Sequence, residues 1–381
     1  MVDNNNKRIG MVTLYSNNFG SCLQAYALYR CIKDFGCYPT LIKYRRTISL
    51  NDRSLLYKIF HLPFKTIWHV FIHRKCINVR KSCFDAFRDS MFIFTPKEYI
   101  NNDERKELNN EFDAFVCGSD MMWCEAFEKD WSQFFLQFAD KDKRIAYAPS
   151  FGINQISEEN YQRCFELLSG FPSSRLSCRD TTGVRMIKDD FGLDAFHVLD
   201  PTMLFDKHQW NSIVHNDARL IKGPYTLTYL FGGTSGGRKK IFKQVKRWKL
   251  GAFKSIDGDR SATIKGKLGP LEFVRLFRDA EFVITDTFHG LIFSLIFEKP
   301  FVVLTREDGM HWAKYFDRIT SMLEMLNISE RYLDMNSDIP ENFRTLDYTE
   351  INSILFEKKE ASLRYLRDAI EDVLNDRYNK D

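Results

Sequence analysis

RIGMVTLYSNNFGSCLQAYALYRCIKDFGCYPTLIKY, residues 8–44, decides the fold. Arg8 to Tyr15 is an apolar run carrying Val12 and Leu14, and it ends in the turn cluster Ser16-Asn17-Asn18-Phe19-Gly20. From Ser21 onward Leu23, Ala27, Leu28, Cys31 and Ile32 recur at three- and four-residue spacing, which predicts a helix. Gly36 closes that helix, and Thr40 to Tyr44 reads as the next strand. Strand, helix and strand in this order make a βαβ opening, so a parallel sheet is expected.

The alternation continues outward from this stretch. Residues 114–117, 145–148, 176–178 and 197–199 read as further strands. Asp200-Pro201-Thr202 reads as a hinge, after which the cycle restarts. There 225–231, 253–256, 282–285 and 301–304 are predicted strands, and 239–248, 270–278 and 290–297 predicted helices. The expected fold class is α/β, two Rossmann-like domains facing across a cleft, with ligands beyond the carboxyl ends of the strands. The expected boundaries are 1–200, carrying a basic amphipathic insertion at about 47–90, and then 201–345. A terminal helix with the stripe Ile351, Leu355, Leu363, Leu366, Ile370 and Leu374 is expected to pack back within 346–381.

A chain of 381 residues exceeds one ordinary core and suits two domains. With 44% hydrophobic and 28% charged residues it is neither disordered nor fibrous. The nine cysteines form no CxxC pair and no Cys/His zinc spacing, so reduced thiols and no metal site are expected. Met1 is followed by Asp3, a run of Asn and Lys7, without the apolar core of a secretory signal. No stretch nears the roughly 18 apolar residues of a spanning helix. A cytoplasmic location is the expectation. The net charge of +4 is uneven: residues 41–90 hold eleven Lys and Arg against Asp52, Asp85 and Asp89, an excess of eight. That asymmetry suggests a local anionic partner, and no nucleic-acid partner is expected.

Four places can carry chemistry. Asn18-Phe19-Gly20-Ser21 leads into a helix whose first N–H groups can hold an anion or sugar hydroxyls; an ordinary capped turn reads the same way. Gly118-Ser119-Asp120 follows a strand directly, where Gly admits close backbone approach and Asp accepts from hydroxyls; its plainer reading is a helix cap. Arg179 stands at a strand end in Ser177-Cys178-Arg179-Asp180, suited to a carboxylate or phosphate, or to a structural pair with Asp180 or another acid. His289, in Asp286-Thr287-Phe288-His289-Gly290, lies between a buried strand and an apolar helix, placed to give a proton or receive a phosphate. The Gly232–Gly237 loop lacks both P-loop and GxGxxG spacing and reads as a surface loop.

Eight motifs in order resemble the polysaccharide pyruvyl transferase family. They are NFGSCLQAYALYRCIK (18–33), FDAFVCGSDMMW (112–123), IAYAPSFG (145–152), LSCRD (176–180), VLDPTMLF (198–205), GPLEF (269–273), ITDTFHGLIFSLIF (284–297) and FDRITSMLEML (316–326). The resemblance runs over roughly residues 8 to 365. It implies a GT-B-like arrangement and phosphoenolpyruvate as donor, with no cofactor. The implied product is a pyruvate ketal bridging two hydroxyls of a sugar, often in a lipid-linked glycan precursor. It further implies that Arg179 and His289 are the basic pair that handles the donor. On this reading Thr287, Lys314 and Arg318 join them on the donor side, while Asn18, Gln24, Ser119 and Asp120 face the acceptor. One departure matters. Many members carry an arginine two residues before the histidine, in an SRLHG context, where this chain has Thr287. If that arginine grips the donor's carboxylate or phosphate, another cation must replace it, and Arg318, Lys314 and His311 are the candidates.

Two rival readings share the fold: a nucleotide-sugar glycosyltransferase, and a non-catalytic sugar- or lipid-binding homologue. The aromatic, cationic stretch 55–75, interrupted by Pro63, also reads two ways. It is either an insertion packed on the first domain or an interfacial helix on anionic lipid, bringing the enzyme to a tethered acceptor at the inner face of the membrane.

Overall fold

β1 (Arg8–Val12) is buried beyond its first residue and takes a parallel neighbour on each side. β2 (Tyr38–Leu41) pairs from Arg8–Tyr38 to Met11–Leu41, and β3 (Ala114–Cys117) from Ile9–Ala114 to Val12–Cys117. β4 (Arg144–Ala146) completes the order β2-β1-β3-β4. The structure, a computed structural model, describes residues 7–44, 79–125, 132–214, 218–231, 236–256, 264, 268–306 and 317–378. Parallel bridges Leu41–Phe94 and Tyr44–Tyr99 extend the sheet past β2. Past β4 the chain forms a second small pair, β5 (Ser177–Cys178) with β6 (Phe196–His197), tied on where Arg179 N–H donates to Pro149 O.

The helices follow from the same sequence logic. α1 (Phe19–Asp34) is buried nearly all round, as its Phe, Leu, Ala and Tyr content demands. Asn18 caps it, accepting from Ser21 N–H at 3.2 Å. After it come α2 (79–91), α3 (Glu158–Leu168), α4 (Thr181–Asp189) and α5 (Lys207–Val214).

The second half repeats the plan. β7 (Tyr225–Tyr229), β8 (Ala252–Ile256), β9 (Phe282–Thr285), β10 (Phe301–Leu304) and β11 (Tyr332–Leu333) form a parallel sheet in the order β11-β10-β9-β7-β8. Its helices are α6 (Gly236–Arg247), α7 (Pro270–Asp279), α8 (Phe288–Ile296) and α9 (Asp317–Met325). Strand order reverses between β1 and β3 in one half and between β7 and β9 in the other, the switch points where such sheets bind ligands. The fold is α/β, of the GT-B-like, two-Rossmann kind.

Several expected strands stop early. Those at 8–15 and 225–231 end at Val12 and Tyr229, because side chains take over beyond. Gln24 Nε2 donates to Leu14 O, and the Asp286 carboxylate accepts from Phe231 N–H.

The halves meet through a shared core. Phe19 of α1 stacks on Phe273 of α7, with centroids 4.6 Å apart at 16°, and Phe273 in turn meets Tyr229 and Phe293. Buried rings contribute about 1.5–3 kcal/mol each, so this seam is packed interior. The expected hinge is likewise interior. Asp200 and Thr202 are fully buried, and residues Pro201–Leu204 form a 3₁₀ turn packed on α1. A Pro–Thr turn signal cannot distinguish an open linker from a buried one. α10 (Thr349–Tyr378) returns to the first half: the Tyr365 hydroxyl donates to Ala146 O at 2.9 Å, and Arg175 pairs with Asp372 at 2.7 Å.

Most of the basic stretch, residues 45–78 with Arg74 and Lys75, lies outside the described residues. In its described end, Arg80 of α2 turns inward over the Phe19 ring at 4.6 Å, while Lys81 is exposed. Among the described residues no helix is long and apolar enough to cross a membrane.

Candidate active site

The carboxyl ends of β3, β5 and β9 converge at the seam. Gly118 leaves β3 with φ of 131°, and a Cβ there would lie 1.8 Å from Tyr147 O, so only glycine lets the backbones approach this closely. Two residues on, Asp120 takes a φ of 73° and its Oδ2 accepts from the Ser21 hydroxyl at 2.7 Å. Ser119 donates its hydroxyl to Ala148 O at 2.7 Å and its N–H to Gln24 Oε1 at 3.0 Å. Gln24, fully buried, donates Nε2 to Thr13 Oγ1 and Leu14 O. Ser119 and Gln24 therefore bind strand ends together, Asn18 Oδ1 caps α1, and Asp120 faces the seam.

Arg179 follows β5 with its side chain fully buried. Nη1 donates to Asp200 Oδ2 at 2.7 Å, and carboxylate oxygens of Asp120 and Asp180 each stand 3.7 Å from other guanidinium nitrogens. Burial opposes the Arg179 charge, but Asp200, Asp180 and Asp120 more than offset it and keep the group protonated. Asp200 Oδ1 accepts from Thr202 N–H at 3.0 Å and from its hydroxyl at 2.6 Å. Asp180 accepts from the Ser150 hydroxyl.

His289 comes from the other half, in the first turn of α8. Thr287 is that helix's N-cap: its Oγ1 accepts from Gly290 N–H at 3.0 Å and lies 3.0 Å from Thr285 Oγ1. The cap sets the entry of α8 so that the imidazole meets α1. A Cβ on Gly20 would lie 2.0 Å from His289 Nδ1, and Nε2 stands 3.8 Å from Asp200 Oδ2. The neighbouring Phe288 ring carries two cations, with the guanidinium carbons of Arg179 and Arg318 at 4.4 and 5.5 Å from its centroid. Arg318 belongs to α9, which docks on the first half where Thr181 N–H donates to Ser321 Oγ at 3.2 Å.

These groups set one another's ionisation. Burial pushes His289 below its ordinary value of 6.5, with Asp200 and Asp120 opposing and Arg179 and Arg318 reinforcing, so it is neutral at pH 7. Burial, with Arg179 adding, pushes Arg318 down to about 10, which leaves it cationic. Burial also opposes the Asp120 charge, yet Arg179, His289, Arg318 and the Ser21 hydroxyl hold its carboxyl down, to about 2.

Four buried nitrogens at this point have no hydrogen-bond partner among the described residues: Nε and Nη2 of Arg179, Nε of Arg318 and Nε2 of His289. Buried polar atoms are ordinarily paired, and an unpaired one costs about 1–3 kcal/mol. Their convergence forms a site suited to an anion that accepts from both forks. The structure thus brings Arg179, His289, Arg318 and Asp120 together. Lys314 and His311 lie outside the described residues. Asp180 was expected only as a structural partner of Arg179, and Asp200, the nearer partner, was read as part of the hinge and not as a site residue. The available signal for Asp200 was its place directly after the apolar run Val198-Leu199, at an expected strand end.

Among proteins of curated function none matches the chain. Similar solved structures are distant in sequence. UGT89C1 of Arabidopsis thaliana complexed with UDP is 10% identical, covering 97% of this chain and 99% of that one at a TM-score of 0.44. A putative UDP-N-acetylglucosamine 2-epimerase of Listeria monocytogenes is 8% identical, covering 98% and 91% at 0.46. An alpha-glucosyltransferase in complex with UDP and DNA is 10% identical, covering 95% and 94% at 0.45. The family model for polysaccharide pyruvyl transferases matches residues 18–308, most of the chain, from the α1 cap to beyond β10. On that match the chain belongs to the polysaccharide pyruvyl transferase family, and it is a transferase.

Proposed function

We propose that this transferase moves the pyruvyl group of phosphoenolpyruvate onto two hydroxyls of one sugar and releases phosphate. The observation that carries the reading is the pair Arg179 and Arg318, one from each half, presenting unpartnered buried nitrogens beside His289. Phosphoenolpyruvate has about −1.5 to −2 on its phosphate and −1 on its carboxylate, and guanidinium forks match both groups. α1 and α8 begin side by side at Gly20 and His289, so their positive ends add to the same field.

In this reading Arg318 takes the place of the family arginine that Thr287 lacks. His289 as acid gives a proton to the methylene carbon, which becomes the methyl group, while a sugar hydroxyl adds to C2 of the donor and returns its proton to His289. The C2–O bond to phosphate breaks, the second hydroxyl closes the ketal, and its proton leaves with phosphate. General acid help of this kind contributes typically about 10²–10⁴-fold. Asp120, held ionised at the seam, accepts from an acceptor hydroxyl. An acceptor tethered to lipid, and contact of the basic stretch with an anionic membrane, belong to the same proposal.

The purified protein is to be incubated with phosphoenolpyruvate, a nucleotide sugar and candidate acceptors. Phosphate release that needs an acceptor supports the reading. Nucleotide release instead would assign a glycosyltransferase, and neither product would assign a binding homologue.

A further inference from the structure

We propose that Asp200 is the positioning residue that lets His289 carry a proton, and that filling Arg179 and Arg318 with the donor's anionic groups brings one proton onto His289. The inference rests on the donor reading above and adds a coupling between binding and protonation.

One oxygen serves two partners. Asp200 Oδ2 accepts from Arg179 Nη1 at 2.7 Å and lies 3.8 Å from His289 Nε2, while Oδ1 is fixed by Thr202. The imidazole has little room to retreat, because its other nitrogen meets Gly20 at the start of α1. Asp200 itself is fully buried and held, so a shift of about an ångström at the ring converts the near contact into a charge-assisted hydrogen bond.

The charges facing His289 come from every element around it: Asp200 from the crossover, Asp120 after β3, Arg179 after β5 and Arg318 on α9. In the free site burial and the two arginines keep the ring neutral against the two aspartates. With Asp180 included, two guanidinium groups face three carboxylates among the described residues, so an anion that binds the two forks adds to a negative surplus unless a proton enters with it. A donor bound to Arg179 and Arg318 cancels the cations that oppose protonation and leaves Asp200 and Asp120 unbalanced. Proton uptake by His289 then relieves the repulsion and supplies the acid the reaction needs.

Calorimetric titration of the intact enzyme with phosphoenolpyruvate, at about pH 7.5 in buffers of different ionisation enthalpy, reads this directly. At that pH the donor's phosphate is already mostly dianionic, and two neighbouring guanidinium groups favour the dianion further, so its own contribution is a small proton release. Wild type should take up a large fraction of one proton per donor bound, and His289→Gln should lose that uptake while still binding. Donor binding with no buffer dependence in wild type overturns the inference and leaves the donor assignment standing; no binding at all sinks both. For Asp200 the readout is the pH profile of turnover. Asp200→Asn should move the alkaline limb down by at least about one pH unit, because the imidazolium loses its counter-charge. A folded Asp200→Asn enzyme with the limb unmoved, merely slower, would make Asp200 a structural residue. Should that variant not fold, the comparison of wild type with His289→Gln still decides whether the proton is taken up.

Discussion

Gly20 and His289 touch across the seam between the two halves, so closely that a Cβ on Gly20 would fall 2.0 Å from His289 Nδ1. The glycine sits in the first turn of α1 and the histidine in the first turn of α8, so each helix start positions the other. Gly20→Ala puts a methyl group against the ring rather than against backbone, and the imidazole must turn from Asp200 while the fold survives. Turnover should fall at least about tenfold, toward the 10²-fold that a misplacement of 1 Å can cost. Phosphate-release rates read beside thermal melts check this. A wild-type rate would separate the orientation of His289 from catalysis.

Arg179→Lys keeps the charge and gives up the planar fork. One ammonium cannot hold Asp200 and also grip a donor through two nitrogens. The donor KM should rise severalfold or more while the acceptor KM changes little. Initial rates with each substrate varied in turn make the test, and equal effects on both would assign Arg179 a structural role.

Thr287→Arg tests the expected departure from the SRLHG pattern at a position that here caps α8. The Thr287 hydroxyl caps α8, and losing a cap costs about 0.5–2 kcal/mol. The new cation would also enter beside Phe288, which already carries Arg179 and Arg318. Both melting temperature and activity should drop. A clear gain in activity would mean that Arg318 leaves the donor site incomplete.

The β1–α1–β2 opening and the strand ends at Cys117, Cys178 and Thr285 were legible because apolar runs break there into Gly, Arg and Asp. β5, β6 and β11 are two residues long, too short for any periodic signal, and their bounds came out shifted or were missed. Asp200 was hidden for another reason. Its partners Arg179 and His289 are 21 and 89 residues away, and an Asp-Pro-Thr turn reads the same whether or not a guanidinium closes on it. The roles of Gln24 and Ser119 were hidden likewise, since their hydrogen bonds join β1, α1 and the ends of β3 and β4 over 95 residues.

The histidine also leaves a mark on stability. Folding lowers its affinity for a proton below the ordinary 6.5, so the unfolded chain binds that proton first. Stability rises with pH wherever the unfolded state holds more protons, and the His289 share is therefore lost as pH falls from about 6.5 toward the lower folded value. Denaturant midpoints at about pH 7.5 and 5.5 should fall further for wild type than for His289→Gln. Parallel losses in the two proteins would show that the ring is not held neutral in the fold.

On the proposed function, Arg179, Arg318 and His289 form a donor site that builds a ketal. Its most direct test is the mass of a defined sugar acceptor after incubation with phosphoenolpyruvate and the purified enzyme, alongside phosphate release. The acceptor should gain one pyruvate less one water, with one phosphate released for each, and His289→Gln should lower that rate at least about a hundredfold. An acceptor left unchanged by wild type in phosphoenolpyruvate but extended by a sugar from a nucleotide donor would contradict the account.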